Sequence, residues 1–150
     1  KKQIKKAGPA IVLQGYHELE QLGLAQYQGL FNEDFCTSTS NSSKKDLIVS
    51  LPATHILFEN ASLLIGMHPD EATEAIIVAA LKYKKPFAVV PCCVFPSLFP
   101  HRTLSNGIKV RSYHQFITYL KELSPNIQST QIDTLPNNNI VLYHLAKDYI

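Results

Sequence analysis

A chain of 150 residues, 45% hydrophobic and 17% charged, is the size of one domain and carries enough apolar material for a core. No apolar run approaches the roughly 18 residues that a membrane span needs. The basic start, Lys1-Lys2-Gln3-Ile4-Lys5-Lys6, lacks the apolar stretch and small-residue cleavage site of a signal peptide. A formal net charge of +2 makes a weak case for nucleic acid.

Positive charge gathers at Lys1, Lys2, Lys5 and Lys6, at Lys44-Lys45, and at Lys82, Lys84 and Lys85. Solvated lysines at helix ends and tails are the favoured reading, ahead of a phosphate-binding patch. Three cysteines, two of them adjacent, are too few for a disulfide scaffold. They fit a reducing compartment, and a cytoplasmic location is expected.

In chain order, Ala10 to Gln14 reads as a short strand. His17 to Phe31 reads as a helix weakened by Gly23. The low-complexity stretch Thr37 to Lys45 reads as an exposed loop or a disordered insertion. It separates a poorly patterned segment, 1–45, from a well-patterned α/β domain, 46–150.

Within that domain, Ala61 to Met67 is an apolar run of the kind buried on both faces of a sheet. Pro69-Asp70-Glu71 then opens a helix running to about Tyr83, with a proline and two acids suited to the positive helix end. Ala72, Ala75, Ile76, Ala79 and Ala80 are its expected inward face. Pro86 stops it, and Phe87 to Val90 forms a second buried strand. Strand, helix, strand makes a βαβ unit, so strands near 62–67 and 86–91 are expected to be parallel neighbours. A loop rich in Pro, Ser and Arg follows from Pro96 to Gly107. Tyr113 to Leu123 is amphipathic, with Phe116, Ile117 and Leu120 inward. Strands near 127–132 and 139–145, joined through the Asn-rich turn at Leu135 to Asn139, are expected to close the chain as an antiparallel hairpin.

Ligands of an open α/β sheet bind beyond the carboxyl ends of its strands. Here those ends carry Gly66-Met67-His68-Pro69-Asp70 and Pro91-Cys92-Cys93. Each has a plain alternative: a helix cap for the first, small buried hydrophobes for the cysteines. The helix N-terminus beside them is expected to lower a nearby thiol's pKa. Alternation along a strand is expected to turn only one of the two cysteines toward the crevice.

The order βαβ, helix, terminal hairpin resembles the second half of the class I, Rossmann-like S-adenosylmethionine-dependent methyltransferases. More narrowly, Leu64-Ile65-Gly66-Met67-His68-Pro69-Asp70-Glu71-Ala72-Thr73, with Val89-Val90-Pro91-Cys92-Cys93-Val94-Phe95, resembles the branch that includes tRNA 2′-O-methyltransferases and related methyltransferase-like proteins. The similarity covers about residues 46 to 146. It implies a Rossmann-like sheet, S-adenosylmethionine as cofactor and RNA as partner. Gly66, Met67 and His68 would border the methionine end of the cofactor. His68 and Asp70 would be the catalytic pair, and Thr73, Pro91, Cys92 and Cys93 would line the acceptor pocket.

The family's glycine-rich turn and acidic cofactor residue are not found. Gly15, Gly23 and Gly29 are too widely spaced, and Glu18 and Glu20 follow no convincing strand. An upstream domain or a partner chain is therefore expected to supply the remaining strands, or the fold has lost them. On the second view the protein is a degenerate methyltransferase fold serving as an interaction or scaffold module. A third reading is an enzyme with a Cys92 or Cys93 nucleophile activated by His68 and oriented by Asp70. A zinc site drawn from Cys36, Cys92, Cys93 and His68 is disfavoured by strand alternation and the lack of Cys-x-x-Cys spacing, so no metal is expected.

Overall fold

The computed structural model describes residues 31, 36, 54–134 and 137–149. The expected strand at 10–14, nearly all of the helix at 17–31, the loop at 37–45 and the boundary at 45/46 lie outside them.

The first described element is α1 (Thr54–Asn60), a short helix not anticipated from the sequence. Its end is held from a distance: Lys85 Nζ donates to the carbonyls of Glu59 and Ala61, both at 2.9 Å. A cation at the negative helix end suits the macrodipole. Lys85 is thus a structural cap, not a solvated tail residue. Phe58 is buried beside Cys36 and Ala79, with its ring edge-on to Tyr83.

Strand β1 (Leu64–Met67) runs parallel to β2 (Phe87–Val90), with Gly66 opposite Val89 and Met67 opposite Val90. Between them a 3-10 turn (Asp70–Ala72) leads into α2 (Thr73–Lys82). This is the expected βαβ unit. The inward face of α2 is broader than expected: Thr73 and Ile77 are fully buried, while Ala72 and Ala75 are only partly so. The expectation for β1 needs a larger correction. Ile65 and Met67 are 70% and 61% exposed, because α2 covers one face of the strand and their side chains alternate to the other. Of these two strands, β2 has the burial of an inner one.

After β2 the chain makes a tight excursion in which Thr103 bridges Lys109 around Gly107, whose φ of 86° suits a residue without a Cβ. Helix α3 (Tyr113–Glu122) follows. Ser112 and Gln115 form a reciprocal capping box at its start. Phe116, Ile117 and Leu120 are buried, as the spacing predicts.

Strands β3 (Gln128–Gln131) and β4 (Ile140–His144) are antiparallel, again as expected. The final strand does not sit at the edge. It inserts between β2 and β3, giving the order β1-β2-β4-β3, and runs antiparallel to both neighbours. Burial explains this. Leu142 is fully buried on β4, whereas all four residues of β3 are exposed, so β4 takes the inner position. His144 pairs with Phe87 at the far end of β2 from Val90, and its ring is stacked 4.1 Å from that of Tyr149.

Candidate functional site at the ends of β1 and β2

The parallel register brings Met67 and Val90 level. The chain leaving β1 stays tied to β2, because His68 N–H donates to Val90 O at 3.0 Å. His68 and Asp70 then adopt left-handed backbone, with φ of 49° and 48°. Such conformations cost about 1 kcal/mol or more in non-glycine residues and gather at functional sites. Gly66 makes the approach to α2 feasible. A Cβ there would lie 3.1 Å from Ile76 Cδ1 and Pro69 Cγ.

Asp70 is exposed but firmly placed. Its carbonyl accepts from the Thr73 hydroxyl at 2.8 Å and from the Thr73 backbone N–H. Thr73 is itself fully buried. It therefore holds the Asp70 backbone from beneath. Pro91 is likewise fully buried and acts as floor.

Cys92 and Cys93 fall after β2, which ends at Val90. Strand alternation thus does not govern them. The ligand atoms of Asp70, Cys92 and Cys93 all lie within 4.8 Å of one another, so both thiols face the same carboxylate. Cys92 donates to Asp70 Oδ1 at 3.1 Å. Among the described residues no imidazole joins this group. The His68 backbone borders the site, but its ring is not part of the cluster.

The expected lowering of thiol pKa is reversed for Cys92. Partial burial, and next the Asp70 carboxylate, push it up to about 11. Desolvation and the adjacent carboxylate both penalise a thiolate, and they outweigh the Asp70 backbone N–H, which favours it. Cys92 is a hydrogen-bond donor at neutral pH. This is not the electropositive setting that a poised thiolate needs.

Two anchors fix the backbone on either side of Cys93. Asn138 Nδ2, from the turn before β4, donates to Cys92 O at 3.1 Å. Arg102 Nη1 donates to Val94 O at 2.9 Å. Arg102 is 2% exposed and pairs through Nε with Glu74 Oε2 at 2.6 Å. Its guanidinium lies over the rings of Phe99 and Phe116, 3.7 and 4.6 Å from their centroids. Tyr119 donates to the other Glu74 oxygen at 2.6 Å, and its pKa is pushed up to about 12, first by burial and then by Glu74. Sequence reasoning missed this network. The available signal was an arginine amid Phe99, Pro100 and Leu104, flanks too apolar for a solvated cation.

No family model, curated protein or solved structure matches the chain.

Proposed function

We propose that this chain is methyltransferase-like, with methyl transfer to an RNA hydroxyl carried out at the shared end of β1 and β2. The observation that carries the reading is the convergence of the two motifs that bear the resemblance: Asp70 and Cys92 meet at 3.1 Å across the ends of parallel neighbours. Support also comes from the element order βαβ, helix, antiparallel hairpin.

When bound, S-adenosylmethionine supplies an electrophilic methyl group on a sulfonium. The residues suit its cationic methionine end: Asp70 offers an exposed carboxylate just beyond the end of β1, where Gly66, Met67 and His68 stand. In this reading Asp70 would accept the proton of an acceptor hydroxyl as the new O–CH₃ bond forms. Cys92 donates to that carboxylate and fixes its orientation. Thr73 and Pro91 keep the floor rigid, which matters because positioning supplies most of the rate in such transfers.

A second reading, a non-catalytic interaction module of the same fold, is favoured by the apolar row Leu63, Ile65 and Met67, exposed at 46%, 70% and 61%. One assay separates the two. At millimolar cofactor carrying a labelled methyl group, tRNA should acquire label, and Asp70→Asn should cut the rate at least tenfold while leaving the circular dichroism unchanged. A folded wild-type chain that transfers no label favours the interaction module.

A further inference from the structure

We infer that Asp70, Cys92 and Cys93 form a binding site for one thiophilic divalent cation, zinc in the first instance. The proposal does not rest on methyl transfer.

The geometry comes first. In a tetrahedral zinc site, sulfur ligands at about 2.3 Å stand roughly 3.7 Å apart, and sulfur and oxygen roughly 3.6 Å apart. The two sulfurs and one carboxylate oxygen already lie within 4.8 Å of one another, with Cys92 Sγ and Asp70 Oδ1 at 3.1 Å. Shifts well under 1.5 Å, within the reach of χ1 rotation, bring all three to coordination distance.

The backbone supports the same conclusion. Adjacent cysteines in a strand diverge, but these follow the strand and are turned to one side. Asn138 and Arg102 hold the carbonyls of residues 92 and 94, so Cys93 is bracketed from two different elements. Thr73 fixes the backbone of Asp70. The backbone carrying the three ligands is thus held in place before any ion arrives.

Donor chemistry selects the ion. Two sulfurs exclude the hard cations calcium and magnesium, which take oxygen ligands. Two thiolates and a carboxylate suit zinc, with a fourth position left for water or a ligand. Binding breaks two S–H bonds, forms two metal–sulfur bonds and releases two protons to solvent, so affinity rises with pH.

Cobalt(II) is the probe, titrated into the reduced full chain at pH 8. The expected result is one equivalent bound, with a sulfur-to-cobalt charge-transfer band in the near ultraviolet that zinc abolishes by displacement. Cys92→Ser/Cys93→Ser, which retains Cys36, should lose the band. Asp70→Asn should keep a band but weaken affinity at least tenfold. These side chains are exposed or half-exposed, so the variants should fold, and circular dichroism checks that they do. A wild-type chain with no band at excess cobalt would overturn the proposal. So would a band that persists undiminished in the double variant, or binding without proton release in weakly buffered solution.

Discussion

Cys92 and Cys93 are neighbours in sequence but meet different surroundings. Cys93 is exposed, whereas Cys92 is half-buried and donates to Asp70. With iodoacetamide at pH 7.5, mapped by mass spectrometry, Cys93 should be alkylated first. The Cys92 rate should keep climbing toward pH 11, and Asp70→Asn should move that rise to lower pH. Cys92 and Tyr119 are acids whose pKa values are raised on folding, from 9.0 to about 11 and from 10.0 to about 12. Their contribution is complete below pH 9 and fades as pH rises through the folded values. The midpoint of thermal unfolding should therefore fall above pH 9, and Cys92→Ser should remove the earlier part of that fall. The meeting of Asp70 with the Pro-Cys-Cys segment was legible in the sequence, because both motifs follow apolar strands of a βαβ unit. The shared facing of the two thiols was not, because alternation holds only within a strand and β2 stops at Val90.

Elements were legible wherever burial follows a simple period. The face of α3, the start of β2 and the hairpin of β3 and β4 all sit where spacing and turn residues put them. Long-range polar contacts leave no such trace. Arg102 reaches Glu74 across 28 positions and Tyr119 reaches the same carboxylate across 45. Because Arg102 is 2% exposed, removing Glu74 strands a buried cation. Glu74→Ala should cost roughly 3 kcal/mol or more in chemical unfolding. Tyr119→Phe, which leaves the ion pair intact, should cost about 1 kcal/mol. Equal effects of the two substitutions would show that the charge pair is not the main contributor. Gly66→Ala tests the packing of β1 on α2. With 3.1 Å to Ile76 Cδ1 and Pro69 Cγ, the added methyl should destabilise by about 1–2 kcal/mol.

At the scale of the whole molecule, the parallel pair and the hairpin were anticipated separately, but their joining was not. Insertion of β4 between β2 and β3 depends on which strand carries the buried residues, and Leu142 decides that only once the sheet is assembled. The exposed face of β1 also escaped notice, since an apolar run looks the same whether one face or both are covered. The resemblance to methyltransferases makes a quantitative demand. With no glycine-rich cofactor turn found in the sequence, isothermal titration should give no saturable heat with S-adenosylmethionine below about 1 mM, or roughly −4 kcal/mol. A low-micromolar constant would mean that the cofactor is gripped by residues other than those named. A cross-link tests directly whether the two strand ends form one shared site. In an Asp70→Cys variant under mild oxidation, the new thiol at position 70 should form a disulfide with Cys92 or Cys93, found as a joined peptide by mass spectrometry. Recovery of position 70 as a free thiol, with the protein folded and fully oxidised, would contradict the shared site.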